Sequence, residues 1–201
     1  LSADRDVFSR DELVAAFDIV DVNPNPARFD EKKAKAINAD HIRMLSPDDF
    51  ATRIVPYLVA AGVVEETPTA EEAALIAKAA PLVQERVQLL GEVPGMLGFL
   101  FASDVTYDED AVASLPDNTG EVLAASAGAL ELIPEAEFTT AAVQEALSRA
   151  LIEGLGLKPR VAFGPLRVAL SGRRVSPPLF ESMELLGKPE SLRRLTAFAS
   201  R

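Results

Sequence analysis

Arginines, serines and prolines gather near the end of the sequence in an order that could hold an anion or an unstacked base. The stretch Pro165-Leu166-Arg167-Val168-Ala169-Leu170-Ser171-Gly172 runs through Arg173 and Arg174 into Ser176-Pro177-Pro178-Leu179-Phe180-Glu181, and then into Leu185-Leu186-Gly187-Lys188. A guanidinium offers a flat face for stacking and a fork of donors for acceptor atoms. Ser176 is expected to cap a helix that Pro177 begins, since a hydroxyl accepts from a free first-turn amide and proline needs no donor there.

Other candidate chemistry reads as bland. The carboxylates from Asp104 to Asp110 lack the glycine and the closing glutamate of an EF-hand loop, so a solvated loop is expected. His41 is the single histidine and the chain has no cysteine, which leaves no His cluster, thiolate metal site or disulfide framework. Gly91, Gly95 and Gly98 fall in an apolar run of the wrong order for a phosphate loop. No catalytic constellation is visible.

The elements that must position these residues read as helices. Ser9 with Glu12 and Thr69 with Glu72 have capping-box spacing, and Ser46-Pro47-Asp48-Asp49 combines cap, first-turn proline and acids at the positive end of the dipole. From Pro47, Phe50, Ile54, Tyr57, Leu58 and Ala61 recur at helical spacing until Gly62 stops them. Leu75 to Val87 continues the pattern, with Pro81 expected to kink or split it. Val122 to Ile133 and Val143 to Leu155 read as two more helices, the second starting after Thr139 or Thr140. Near the start, Asn23-Pro24-Asn25-Pro26 is proline-stiffened and leads to a helix capped by Asp30. Arg160 to Leu170 is ambiguous, with weak alternation of Val161, Phe163, Val168 and Leu170 against a short helix. The expected fold class is all-α, with that stretch open. The turn-rich segment Tyr107 to Gly120 is the best boundary between two helical units.

The 201 residues suffice for one large or two small domains, and 48% apolar content fits a folded chain. The longest apolar runs, Ile54 to Val64 and Pro94 to Ala102, are far short of the roughly 20 residues that span a bilayer. No membrane role is expected, and a cytoplasmic protein is the default. Leu1 without a Met shows neither a signal peptide nor a translation start, so the chain is read as a piece of a longer protein. A net charge of -11 argues against a polyanion partner, but the average hides an asymmetry. Residues 156–201 carry nine basic groups against three acidic ones, a local balance of +6. That leaves -17 on the rest of the chain, a pattern suited to a polyanion-binding end on an acidic body or to an ordinary basic tail.

The segment Ala27-Arg28-Phe29-Asp30 with its following lysines, the middle stretch Pro81 to Val87, Leu155-Gly156-Leu157-Lys158 and the phrase from Pro165 to Lys188 together resemble the carboxy-terminal region of bacterial glutamyl-tRNA synthetases. The resemblance covers nearly the whole chain in order and spacing. It implies three parts: the end of a stem-contact region at 1–60 and two helical anticodon-binding subdomains at 61–115 and 116–201. It also implies a catalytic half, absent here, whose HIGH-like and KMSKS-like motifs use ATP and magnesium to activate glutamate, so the chain alone is expected to be inactive and to hold no cofactor. The implied partner is tRNA(Glu), with no DNA and no membrane, and the chain is expected to be a monomer. Whether tRNA(Gln) is also a partner stays open, because it turns on the register of Arg86. By resemblance Arg167 meets an anticodon base, while Ser176, Pro177, Leu179 and Phe180 form the loop and helix start beside it. By the same resemblance Arg86 is expected to discriminate the glutamate anticodon from the glutamine one, and Arg173, Arg174 and Lys188 are expected to contact phosphates without sequence information. Leu179 and Phe180 read equally well as core, and Arg86 as a surface partner of Glu85 or Glu92. The competing reading is an acidic helical adaptor for protein partners. Convergence of the late basic residues beside Arg167 would favour RNA, and scatter the adaptor.

Overall fold

A computed structural model describes residues 5–22 and 28–201, so the proline-stiffened stretch Asn23 to Ala27 lies outside the described residues. The described residues form eleven α-helices and no strand. They are α1 (Arg10–Ala16), α2 (Glu31–Arg43), α3 (Pro47–Ala60), α4 (Ala70–Ala79), α5 (Pro81–Gln84), α6 (Val93–Leu97), α7 (Glu109–Ala113), α8 (Thr119–Glu131), α9 (Thr140–Leu147), α10 (Pro159–Ser171) and α11 (Leu179–Ala199). The ambiguous stretch is therefore helical: α10 runs through it, and its strand-like alternation is overridden by burial of Ala162, Leu166, Ala169 and Leu170 on one helical face.

The local signals act as physics requires. Ser9 and Thr69 each complete a capping box, Ser46 accepts from the Asp49 amide above Pro47, and Asp30 accepts from the Lys33 amide at 3.0 Å. Pro81 divides α4 from α5. Gly62, at φ +68°, ends α3 with the paired bonds of a left-handed C-terminal cap: its own amide reaches Val59 at 2.9 Å and that of Val63 reaches Leu58 at 2.9 Å.

Two apolar cores result. The first gathers Phe50, Ile54 and Leu58 of α3 with Ile76 and Ala79 of α4, Val83 of α5, and Val93 and Leu97 of α6. The second joins Leu123 and Leu130 of α8, Val143 and Leu147 of α9, Leu166 and Leu170 of α10, and Met183 and Leu195 of α11. The first ends at Leu100 and the second begins at Ala111. α11 bends at Gly187, φ +77°, and the residues just before the bend serve both sides, Leu186 packing against each core. In the same stretch Glu184 of α11 accepts from the Thr140 amide at 2.5 Å and from its hydroxyl, tying α11 to the first turn of α9.

The segment between the cores crosses the chain closely at Gly172, the left-handed cap of α10 at φ +74°. A Cβ there would lie 2.0 Å from the Thr106 carbonyl oxygen, and the Asp108 amide donates to the Gly172 carbonyl at 2.9 Å. Gly172→Ala is expected to destabilise the chain by more than about 3 kcal/mol, adding the left-handed strain of an L-residue to a backbone collision. Gly62→Ala, with the same φ strain and no neighbour within 4 Å, is expected to cost only about 1 kcal/mol by urea unfolding.

A second outcome concerns acid. The hydroxyl and then the amide of Thr140 hold the Glu184 carboxyl below its ordinary range. Its contribution is complete above the unfolded carboxylate value and fades as pH falls through the lower folded one. Urea midpoints of Glu184→Gln should therefore change less than wild type below about pH 4.

Candidate RNA interface

Arg167 lies on α10 and is half-buried. Its Nη1 donates to the Ser176 hydroxyl at 2.5 Å, the Pro177 carbonyl at 2.7 Å and the Ser176 carbonyl at 3.2 Å. The loop can meet it because Gly172 reverses the chain and the Ser171 hydroxyl, donating to the Arg167 carbonyl at 2.8 Å, also receives the Arg173 amide at 3.3 Å. Nε and Nη2 have no protein partner among the described residues. Since no buried side-chain nitrogen or oxygen there lacks one, these two donors face solvent. Burial, and then the nearby charge of Arg86, lower the Arg167 pKa from its usual value. An arginine stays protonated regardless.

Arg167 lines a cleft of about 640 Å³. One wall is α10, contributing Arg160, Phe163, Gly164, Pro165 and Arg167; the other is Ser114-Leu115-Pro116, and Arg174 also lines it. Arg160 and Arg167 are two helical turns apart, so they point the same way about 10 Å from each other along the axis. Pro165 has no amide to give the Val161 carbonyl, leaving an acceptor in the same wall. Three guanidiniums and no carboxylate line this cleft, on a chain of net charge -11.

The structure sorts the residues singled out from sequence. Arg86, Arg167 and Arg174 come together at or beside the cleft. Arg86 is exposed and makes no ion pair among the described residues, while Glu85 pairs with Arg43 at 3.3 Å and Glu92 accepts from the Gln88 amide at 2.9 Å. Phe180 is half-buried, edge-on to Phe163 with centroids 5.2 Å apart. Ser176 corrects the capping expectation. α11 begins later, at Leu179, with no side-chain cap, because the Ser176 hydroxyl is buried as the acceptor for Arg167. Pro177 and Leu179 are buried as well.

Arg173 turns away from the cleft, donating to the Gly95 carbonyl at 3.1 Å with Asp108 3.9 Å from its Nε. Lys188 donates to the carbonyls of Glu131 and Ile133, at 2.9 and 2.6 Å, and so closes the end of α8. Sequence reasoning passed over Arg160, whose seven-residue spacing from Arg167 was a usable signal, and the Ser114 to Pro116 wall, which no local signal announces.

The chain is similar to known proteins over most of its length. A family model described as an anticodon binding domain matches residues 49–199. The glutamate–tRNA ligase of Leifsonia xyli is 68% identical over all of the chain, which covers 41% of that protein, and that of Clavibacter sepedonicus is 59% identical over 99% of the chain and 40% of its own length. The chain thus spans about two fifths of these relatives. Among solved structures, a glutamate tRNA ligase from Elizabethkingia meningosepticum superposes on 96% of the chain, and 37% of its own, with a TM-score of 0.76 at 23% identity. A glutamate-tRNA synthetase from Elizabethkingia anophelis gives 0.72 at 25% identity, over 96% of this chain and 36% of that one.

Arg167 is structural as well as exposed to the cleft. Arg167→Met removes the donor to the buried Ser176 hydroxyl and to the Ser176 carbonyl, leaving the Pro177 carbonyl only the Ser176 hydroxyl at 3.1 Å, and should cost about 1–3 kcal/mol, read as a lower urea midpoint at unchanged slope.

Proposed function

Since the chain belongs to the anticodon binding domain family, we propose that it reads the anticodon of tRNA(Glu) as part of a glutamate–tRNA ligase. The observation that carries this reading is the carboxylate-free cleft with Arg160, Arg167 and Arg174 along it and Arg86 close by. Anticodon bases are unpaired, so they can be splayed out and stacked on flat side chains while their edges are read, which a regular RNA duplex does not allow. Arg167 is suited to reading such a base, because one nitrogen is fixed by Ser176 and Pro177, which holds the guanidinium plane still, and the other donors stay open. Ser176 and Pro177 thus act on the base through Arg167. Phe163 gives the cleft an apolar edge, with Phe180 packed edge-on against it.

Arg86 enters from the first helical unit and Arg167 from the second, so an anion or base edge between them relieves the repulsion of two like charges. Arg160 and Arg174 are the phosphate contacts in this reading, supplying affinity that salt weakens. Arg173, Lys188 and Leu179 support the site without touching RNA. The parent reaction joins glutamate to tRNA with ATP and magnesium. Among the described residues no group of three or more His, Asp or Glu could hold a metal, and we assign that chemistry to the rest of the parent enzyme. No helix among the described residues is long and apolar enough to cross a membrane, and the chain is proposed to work in the cytoplasm as a monomer.

The test is binding of the chain to transcribed tRNA(Glu), an anticodon-altered tRNA(Glu) and tRNA(Gln) at two salt concentrations. Arg86→Ala, at an exposed position, should leave stability unchanged and reduce the preference for the intact anticodon by roughly tenfold, within the range for one lost base-reading contact. Arg160→Ala should weaken all RNAs alike and lower the salt slope by about 1. Equal weak binding of every RNA by wild type would overturn the reading in favour of a protein-binding adaptor.

A further inference from the structure

Arg194 is the largest fully buried side chain of the described residues, at 2% exposure, and it lies outside the cleft. Every polar atom of its guanidinium is used. Nε donates to Glu190 at 2.6 Å, Nη1 to the carbonyls of Phe99 at 2.9 Å and Leu170 at 2.8 Å, and Nη2 to the carbonyl of Ala102 at 2.8 Å. Three separate pieces of chain thus meet on one cation. Glu190 belongs to α11. Phe99 and Ala102 lie where the first core ends, just past α6. Leu170 is in the last turn of α10, one turn beyond Arg167.

The Leu170 carbonyl is one that its helix cannot satisfy itself, because the last four of a helix have no amide ahead of them, while those of Phe99 and Ala102 lie in the chain leaving the first core. A cation there also meets the negative end of the dipole. Neighbouring arginines add to the same seam: Arg193 donates to the Ser103 carbonyl at 2.6 Å and Arg173 to that of Gly95. The seam joins the unit that carries Arg86 to the helix that carries Arg167, and these two like charges repel.

We propose that Arg194 is a positioning residue for RNA reading, the clamp that holds Arg86 and Arg167 at one fixed separation before any RNA arrives. This rests on the reading of the cleft as the anticodon site. Fixing the separation makes the pair discriminating, because an RNA whose base does not fit cannot be accommodated by the units sliding apart. Without the clamp the chain still binds RNA, since Arg160 and Arg174 keep their charges, but it reads the sequence less sharply.

The chain has no cysteine, so the clamp can be tested by placing two labels alone, at Glu71→Cys on α4 and Glu121→Cys on α8, both exposed. Spin-label distances between them should give one narrow distribution in wild type and a broader one in Arg194→Lys, which keeps the charge but cannot span three segments. Glu190→Gln, which removes the carboxylate but leaves the arginine buried, should broaden it less, and it serves should Arg194→Lys not fold. An unchanged distribution in a folded variant overturns the clamp whatever the RNA does.

In binding, Arg194→Lys should lower the preference for the intact anticodon about tenfold, mid-range for coupled groups, and add nothing in an Arg86→Ala background. Equal weakening toward all RNAs, or full additivity with Arg86→Ala, refutes the proposal. Loss of preference in Arg86→Ala with none in Arg194→Lys sinks the clamp and leaves the anticodon reading standing, whereas no preference in wild type sinks that reading instead.

Discussion

Helix ends are the constraint on which this protein is built. With no strand among the described residues, nearly all of the backbone pairing is helical, and every helix leaves carbonyls at its last turn that need donors from elsewhere. Long side chains from distant segments supply them. Gln84 donates to the carbonyls of Ile42 and Leu45, both at 2.9 Å, at the end of α2; Lys188 closes α8; Arg194 closes α10 and the segment after α6; and Arg173 reaches Gly95 within α6. These bonds are stronger than neutral ones because most of the donors are charged, and leaving them unmade would expose a desolvation penalty of about 1–3 kcal/mol at each buried acceptor.

This accounts for a charge pattern that is misleading when read along the chain. The balance of +6 over residues 156–201 suggests a basic surface, yet Arg173, Lys188, Arg193 and Arg194 are turned onto backbone carbonyls, and Arg201 lies over the Tyr107 ring at 4.4 Å. What remains for an external polyanion is a narrower set, Lys158, Arg160, Arg167 and Arg174, with Arg86 added from the acidic half. The late basic residues therefore do both of the things weighed from sequence: part of them converge on one cleft, and part are scattered through the seam between the cores. The cleft is distinguished less by its positive charges than by the lack of any carboxylate among its lining residues.

What the sequence made legible was whatever is decided within one turn of chain. Ser9, Ser46 and Thr69 as caps, Pro81 as a divider and Gly62 as a stop all act through neighbours three or four residues away, so their spacing is sufficient. α10 was ambiguous for the same reason. Gly164 and Pro165 weaken its helical signal locally, and only burial of Leu166, Ala169 and Leu170 in the second core decides the matter. Ser176 failed as a cap because its hydroxyl had a better tertiary partner nine residues back in Arg167. The resemblance placed Arg86 and Arg167 in one site, which no periodicity could do across eighty residues of intervening chain. The opposite wall, Ser114 to Pro116, is brought in by the packing of α8 and left no local mark.

The division of labour at the cleft follows from how differently its arginines are held. Arg160 and Arg174 are exposed, and a charge in water on a flexible stem attracts phosphate at range while fixing no geometry. Arg167 is the opposite case: half-buried, with one nitrogen bound to three loop acceptors, it has little further freedom to lose, so the contact proposed there would carry a smaller ordering cost. A mobile guanidinium can follow a wrong base into a compensating pose, whereas an anchored one leaves either its own donors or the base edge unpaired. In the proposed function, discrimination would therefore depend on rigidity supplied from behind the site, by Ser176 and Pro177 at Arg167 itself and by the arginine seam between the two cores.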